Sequence, residues 1–203
     1  MRDRSMVTRC SGAVLAGGRS RRMGRDKASM VVGGVTLLQR AVATLQAVCD
    51  EVMVVVARDS APAGLPPDVR IVVDRVPDAG PLGGLEAALA AAIHELVVVV
   101  AVDMPDLSDA VLSAQLAMAE THPDLEAITL PRQGFPGGEP LHAVYRRATL
   151  PRVTALLASG ERRMGATLAG LRVGKLPAET LGRLDPRDVS ARNLNTPEER
   201  PAP

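Results

Sequence analysis

Aromatic side chains are nearly absent from this sequence of 203 residues, which contains Phe135, Tyr145 and no tryptophan. Proteins that bind single-stranded nucleic acid without sequence preference stack the bases on aromatic rings, so the composition argues against that class. The formal net charge is only +1, which argues against a broad basic surface for nucleic acid or for a membrane. A nucleobase bound by this chain would be held mainly by backbone and aliphatic groups.

Cysteine is also scarce, with Cys10 and Cys49 as the two occurrences. Neither belongs to a Cys-x-x-Cys pair or lies beside a histidine cluster, so we expect neither a zinc site nor a disulfide framework.

Residues 1–12 lack the apolar core of a secretory signal. The longest apolar run, Leu96–Val102, has seven residues, whereas a membrane-spanning helix needs about 20. We therefore expect a soluble, cytoplasmic protein.

Runs of β-branched residues alternate along the chain with patterns of helical period. Unbroken runs of this kind are typical of parallel strands that are covered on both faces. The alternation predicts an α/β protein with a single domain over residues 1–203, built as three α/β/α layers around a doubly wound, mostly parallel, Rossmann-like sheet. We expect residues 1–10 and 200–203 to be flexible. The predicted strands are Ala13–Ala16, Glu51–Ala57, Val69–Val73, Leu96–Val102, Leu125–Pro131, Pro140–Arg146 and Leu171–Leu176.

Helices and loops are predicted from the same patterns. Glycine and proline predict loops at Pro77–Gly84 and Gly134–Gly138. His142 and Tyr145, in the sixth predicted strand, are expected to be packed structural residues. The predicted helices are 36–49, Leu85–His94, 108–120, Leu150–Ser159 and Gly160–Leu171.

The first predicted strand runs into a strongly basic loop, Gly17–Lys27. This loop has five cationic residues against one acidic residue, a local net charge of +4, whereas the whole chain has +1. Open α/β sheets bind ligands at the carboxyl ends of their strands, and glycine lets backbone N–H groups approach an anion closely. The loop therefore predicts a polyphosphate site, although it fits neither the Walker pattern nor the dinucleotide fingerprint.

Two aspartates, Asp74 and Asp103, follow predicted strands. Mg²⁺ is typically bound by one or two carboxylates together with phosphate oxygens. Asp103, directly after the strongest strand pattern, is therefore a candidate magnesium ligand. Because Pro105 follows closely, a role as a turn former or helix cap remains the alternative on the residue pattern alone.

The stretch Leu15-Ala-Gly-Gly-Arg-Ser-Arg-Arg-Met-Gly-Arg-Asp-Lys27 resembles the L-A-G-G-x-[SA]-x-R-M-G-x-D-K signature of nucleotidyltransferases. Further segments agree, in order, with the molybdenum cofactor guanylyltransferase family. The resemblance implies a fold of the nucleotide-diphospho-sugar-transferase type and transfer of GMP from GTP to molybdopterin, with release of pyrophosphate. The matching segments are Gly80–Gly84, Val102–Pro105, Glu139–Arg147, Gly160–Arg163 and Asn193–Glu199.

The resemblance also implies residue roles. Catalytic roles fall on Lys27, Asp103 and Arg22, with Mg²⁺ as the cofactor at Asp103 and Asn195 as a second candidate ligand. The implied acceptor-binding residues are Arg162, Arg163, Asn193 and Asn195. The implied GTP-binding residues are Leu15, Ala16, Gly17, Gly18, Arg19, Lys27, Asp74, Gly80, Leu82, Gly83 and Asp103.

Three other functions stay open at this point: a cytidylyltransferase for the same pterin, a sugar-phosphate nucleotidyltransferase, and an inactive nucleotide-binding module. Gly80–Gly84 favours guanine, because the cytidylyl relatives usually carry a serine-containing sequence there. Lys27, Asp103 and the pair Asn193 and Asn195 together argue against an inactive module. Besides GTP and molybdopterin, the family suggests proteins that deliver molybdopterin or receive the product, and neither nucleic acid nor a membrane as a partner.

Overall fold

The structure is a computed structural model that describes residues 9–17, 27–57, 62–74, 76 and 78–194, with Lys27 described by its backbone. The described part of the chain contains nine strands and six α-helices. The strands are β1 (Cys10–Leu15), β2 (Val31–Val32), β3 (Val35–Thr36), β4 (Glu51–Val56), β5 (Arg70–Val73), β6 (Leu96–Ala101), β7 (Ala127–Arg132), β8 (Phe135–Arg146) and β9 (Val173–Lys175). The helices are α1 (Leu37–Val48), α2 (Pro81–Ala91), α3 (Asp109–Thr121), α4 (Leu150–Ala158), α5 (Met164–Leu168) and α6 (Ala178–Leu184).

Seven strands form one sheet in the order β5-β4-β1-β6-β8-β7-β9, while β2 and β3 pair separately. All seven run in the same direction except β8, which is antiparallel to both of its neighbours. The predicted, mostly parallel sheet is therefore confirmed. The strands β1, β4, β5 and β6 end together along one side of the sheet, which we call the carboxyl edge. Since β8 runs the opposite way, it starts near this edge, and His142 pairs with Val100 of β6.

Helices cover both faces of the sheet and give the three predicted layers. The helices α1 and α3 pack on one face, where their leucines meet alternate valines of β4 and β6. The helices α2, α4 and α5 pack on the other face. All six residues of β6 are buried, as expected for a strand covered on both sides. None of the described helices has the length and apolar character that crossing a bilayer would require.

Two strands are longer than predicted. β1 begins at Cys10, within the segment expected to be flexible, because the Cys10 N–H donates to Asp50 Oδ2 at 3.1 Å and its side chain is buried. β8 begins at Phe135, inside the predicted loop Gly134–Gly138. The β7–β8 pairing contains register shifts, and Gly138 adopts a φ of +84° beside them. Glycine in this strand therefore marks a bulge rather than a loop.

Three helices also differ from the prediction. α2 begins at Pro81, four residues before the predicted start, so Gly83 and Gly84 belong to its first turn. The predicted helix Gly160–Leu171 is helical only in α5. α6 was not predicted: none of its residues is buried, so the sequence has no apolar period from which a helix could be read.

Candidate active site

At the carboxyl edge, the start of the basic loop lies beside the end of β6, the strand that precedes the candidate metal ligand Asp103. The Ala16 N–H donates to Val55 O at 2.8 Å, and the Val102 N–H donates to Leu15 O at 3.2 Å. These bonds continue the parallel ladders of β1 beyond its last residue. Leu15, Ala16 and Gly17 therefore lie between the end of β4 and the turn that carries Asp103, as the predicted site requires.

Asp74 lies against the first turn of α2. A Cβ on Gly83 would lie 2.5 Å from Asp74 Oδ2, so the carboxylate occupies the place of a side chain and position 83 requires glycine. Asp74 Oδ1 accepts the Val76 N–H at 2.9 Å. Burial raises the pKa of Asp74, and the Val76 hydrogen bond partly opposes this. The positive end of the helix dipole favours a carboxylate here. Asp74 therefore presents its carboxylate oxygens as hydrogen-bond acceptors beside the first turn of α2.

The start of α2 explains the other residues of the predicted guanine segment. Gly80 adopts a φ of +62° and is followed by Pro81 in the first turn, a combination that begins a helix sharply. Leu82 is fully buried, so any contact with a nucleotide can involve only its backbone. A Cβ on Gly84 would lie 3.3 Å from Leu15 Cδ1, which brings α2 close to β1. The first turn of α2 thus lies beside Leu15, with Gly84 in contact with it and Leu82 in the same core cluster.

The C-terminal part of the chain returns to Asp103. The Leu194 N–H donates to the Asp103 carbonyl oxygen at 2.8 Å, and Leu194 itself is buried. The donating peptide is the one that joins Asn193 to Leu194. Asn193 Oδ1 is buried and has no hydrogen-bond partner within the part of the chain that the structure describes. A buried oxygen of this kind is costly unless a ligand satisfies it.

Asp103 and Asn193 together provide oxygen ligands of the kind that Mg²⁺ prefers. Both offer hard oxygen atoms, and Mg²⁺ is usually bound by few protein oxygens plus phosphate and water. No group of three or more histidine, cysteine or acidic residues able to hold a metal occurs among the described residues. The alternative ligand Asn195 lies outside the described residues.

Several predicted phosphate contacts cannot be placed. Gly18, Arg19 and Arg22 lie outside the described residues, as does the side chain of Lys27. The Lys27 backbone begins a short 3-10 helix, Lys27–Ser29. The roles of these residues stay predictions.

Arg162 and Arg163, the predicted acceptor contacts, already have acceptors of their own. Arg162 Nη1 donates to Leu157 O at 3.1 Å and to Glu161 O at 2.7 Å. Arg163 donates from Nε and Nη2 to the two carboxylate oxygens of Glu161, which lowers the pKa of Glu161 to about 2. An acceptor phosphate would have to compete with these contacts, and the role stays a prediction.

Sequence reasoning missed a buried polar link formed by Gln115, His142 and Ser190. His142 Nδ1 lies 3.0 Å from Gln115 Oε1, and its Nε2 lies 3.0 Å from Ser190 Oγ. The expectation that His142 and Tyr145 are packed is confirmed, since both are fully buried. The link itself left no signal, because its members are far apart in sequence and belong to no shared motif.

Comparison with known proteins adds to this geometry. The family model of the MobA-like NTP transferase domain matches residues 12–173. A probable molybdenum cofactor guanylyltransferase of Chloroflexus aggregans is 38% identical over 192 residues, which cover 93% of this chain and 90% of the relative. The chain belongs to the molybdenum cofactor guanylyltransferase family. As a member of this family it is a nucleotidyltransferase, and the carboxyl edge is its candidate active site.

Other similar proteins agree with the family. The molybdenum cofactor guanylyltransferase of Desulfosudis oleivorans is 34% identical, over 93% of this chain and 91% of that protein. The crystal structure of molybdopterin-guanine dinucleotide biosynthesis protein A from Archaeoglobus fulgidus has a TM-score of 0.72 and 25% identity, with 93% of each chain covered. 2-C-methyl-D-erythritol 4-phosphate cytidylyltransferase from Thermus thermophilus shares the fold, with a TM-score of 0.64, 20% identity and coverage of 94% of this chain and 95% of that one.

Proposed function

We propose that this protein transfers GMP from GTP to molybdopterin, which forms molybdopterin guanine dinucleotide and releases pyrophosphate. The observation that carries the proposal is the meeting, at one edge of the sheet, of the Leu15–Gly17 backbone, Asp74 against α2, and Asp103 beside the peptide of Asn193. Membership of the guanylyltransferase family supports the choice of substrates.

The base is bound where Asp74 meets the first turn of α2. A carboxylate only accepts hydrogen bonds, and guanine presents two neighbouring donors, N1–H and the N2 amino group, to its two oxygens. Cytosine, adenine and uracil do not offer that pair. Asp74 is half-buried, and a site that hydrogen-bonds its substrate through such a group disfavours bases that leave it unpaired. Asp74 and the backbone of Gly80–Gly84 thus favour GTP without any aromatic side chain.

The phosphates are bound by the backbone amide of Gly17, which follows the last ladder bond of β1, and by the cationic side chains of the loop that follows. An oxygen of the terminal phosphate of molybdopterin attacks the α-phosphorus of GTP in line. The new P–O bond forms as the bond between the α-phosphorus and the bridging oxygen breaks, and pyrophosphate leaves with the electron pair. Positioning and charge neutralisation supply most of the catalysis in such transfers. Arg19, Arg22 and Lys27 supply the opposing charge.

Asp103 is the proposed magnesium ligand. Bound there, Mg²⁺ supplies neutralisation of the charge that develops on the phosphate oxygens. Asn193 is the proposed second oxygen ligand, because its buried Oδ1 has no hydrogen-bond partner among the residues that the structure describes. The Asp103 carbonyl accepts the Leu194 N–H, and this bond keeps Asn193, the residue before Leu194, beside Asp103.

The experiment that tests the function is a nucleotide-preference assay. Purified protein with Mg²⁺ and molybdopterin is supplied in turn with GTP, CTP, ATP and UTP, and pyrophosphate and the dinucleotide product are measured. GTP is expected to be consumed in strong preference. Preferential use of CTP would instead favour the cytidylyltransferase, and tight binding of GTP with no product from any acceptor would favour an inactive module.

A further inference from the structure

The buried polar link has one consistent arrangement of protons. The Gln115 amide nitrogen donates to Ile128 O at 3.3 Å and to His142 O at 3.0 Å. Because both partners are carbonyl oxygens, the other side-chain atom of Gln115 is its carbonyl oxygen, which only accepts. His142 Nδ1, at 3.0 Å from that oxygen, is therefore the protonated ring nitrogen.

The remaining protons follow from this assignment. A neutral imidazole that carries its proton on Nδ1 has Nε2 as an acceptor. Ser190 Oγ, 3.0 Å away, therefore donates its hydroxyl proton to His142 Nε2. The same Oγ accepts the Ser108 N–H at 3.2 Å through a lone pair. His142 is fully buried, and burial lowers its pKa to about 4, so the neutral form that this pattern needs is the stable one.

The link ends on the part of the chain that reaches the active site. We call residues 185–194 the returning segment. Ser190 is held at its hydroxyl by His142 and at its N–H by Asp185 Oδ2, at 2.7 Å. Four residues later, the Leu194 N–H donates to the Asp103 carbonyl. Asn193 lies between these two attachments, and its buried Oδ1 has no partner within the described residues.

We propose that His142 is a positioning residue for nucleotidyl transfer, which holds the returning segment through Ser190 so that Asn193 stays beside Asp103. The proposal rests on the proposed function. His142 is fully buried with both ring nitrogens bonded within the link, so it acts through the returning segment. Its strand, β8, pairs with β6, and Asp103 lies two residues after the end of β6, so His142 ties the returning segment to the same element that places Asp103.

Matched substitutions separate the two sides of the imidazole. In His142→Gln the amide oxygen can take the place of Nε2 and accept from Ser190. In His142→Asn the shorter side chain reaches only the position of Nδ1, so the hydrogen bond with the Ser190 hydroxyl is lost. Ser190→Ala removes the hydroxyl itself. Tyr145→Phe is the control: it removes a buried hydroxyl that donates to Pro140 O at 2.9 Å on the same strand, but lies outside the link.

The first measurement is the hydrogen-exchange rate of the Leu194 amide, followed by NMR in each folded variant. We expect exchange at least about tenfold faster in His142→Asn, because the returning segment then loses its bond to His142, and in Ser190→Ala, which loses that bond and the bond from the Ser108 N–H as well. His142→Gln and Tyr145→Phe should stay close to the wild-type rate. Wild-type exchange in folded Ser190→Ala would overturn the proposal.

The second measurement is turnover with GTP, Mg²⁺ and molybdopterin. Loss of a residue that orients a ligand typically reduces activity by about 10- to 100-fold, so kcat should fall by that factor in His142→Asn and Ser190→Ala while KM for GTP is retained. A fall in Tm with unchanged kcat would show a merely structural role and overturn the proposal. If the wild-type protein transferred no GMP, the proposed function would fail, and the exchange rates alone would decide whether His142 holds the segment.

Discussion

Asp103 has separate roles for its backbone and its side chain. Its carbonyl oxygen accepts the Leu194 N–H and so anchors the returning segment, while its carboxylate is the proposed magnesium ligand. Substitution of the side chain leaves the carbonyl in place. The metal role can therefore be tested without loss of the anchor.

We expect Asp103→Asn to keep the fold and to lose metal-dependent turnover by more than about 100-fold, because an amide neutralises less of the charge on the metal. The measurements are kcat with Mg²⁺ and the Tm of the protein. Asp109→Asn, an exposed aspartate in the first turn of α3, is the control and should turn over normally. Normal turnover in Asp103→Asn would remove this residue from the metal site.

Asp74 predicts a pH dependence of GTP binding. The proposed contact with guanine requires the carboxylate form, and burial raises the pKa of Asp74. As the pH falls, affinity for GTP should therefore be lost at a higher pH than it would be with an aspartate of ordinary pKa. Asp74→Asn should bind GTP at least about tenfold more weakly, since hydrogen bonds to charged groups contribute about 1.5–3 kcal/mol, and should lack this acid limb. Calorimetric titration with GTP across the acidic range measures both effects, and identical profiles would exclude Asp74 from the base site.

At the scale of elements, the start of α2 decides how the proposed base site is built. The sequence predicts a loop at Pro77–Gly84 because glycine is unfavourable inside a helix. In the structure the helix begins at Pro81, and each of the two glycines that follow makes a close approach, Gly83 to Asp74 and Gly84 to Leu15. Tertiary contacts thus override the local propensity, and the same contacts form the site.

Gly83→Ala tests this element directly. Its Cβ would lie 2.5 Å from Asp74 Oδ2 and 2.6 Å from Ala79 Cβ, so either the carboxylate or the helix start must move. We expect a loss of about 1–3 kcal/mol in the free energy of unfolding and GTP binding that is weaker by about tenfold or more. Urea unfolding and GTP titration provide the two values.

The matched control is Gly182→Ala. Gly182 lies exposed in α6, and a Cβ there meets nothing within 4 Å. This change should be neutral or should stabilise the protein by up to about 1 kcal/mol. Equal effects of the two substitutions would contradict the role given to Gly83.

The elements also show what the sequence could and could not predict. Strong signals, such as the unbroken valine run of β6, predicted the parallel sheet and the position of Asp103 at its edge. Boundaries failed where a tertiary contact decides the backbone, as at Gly83 and Gly138. The contact between Leu194 and Asp103 follows from no local pattern, and only the family resemblance placed Asn193 at the site. The pairing of His142 with Ser190 had no signal at all.

At the scale of the whole molecule, His142 makes stability depend on pH. In the unfolded chain its pKa is about 6.5, whereas burial lowers it to about 4 in the folded protein, although Asp185 partly opposes this shift. Between these values the unfolded chain takes up a proton that the folded protein excludes. The contribution of neutral His142 to the free energy of unfolding is therefore fully present above pH 6.5 and is lost as the pH falls toward 4.

We expect the free energy of unfolding to fall by about 2 kcal/mol more in the wild type than in His142→Gln between about pH 7.5 and pH 5. The glutamine does not titrate, so it removes this term and leaves the other groups in place. Urea unfolding of both proteins at the two pH values supplies the comparison. Parallel losses in the two proteins would show that His142 is not the group responsible.

The bond between Asp103 and Leu194 also has a consequence for the order of assembly during translation. The strands β1, β4, β5 and β6 are neighbours in the sheet and are synthesised first. Asn193 leaves the ribosome 90 positions after Asp103, or roughly 5 to 20 s later at usual elongation rates. A nascent chain therefore completes the strands of its proposed GTP site before its proposed metal site, so early binding of GTP would precede any capacity to transfer GMP.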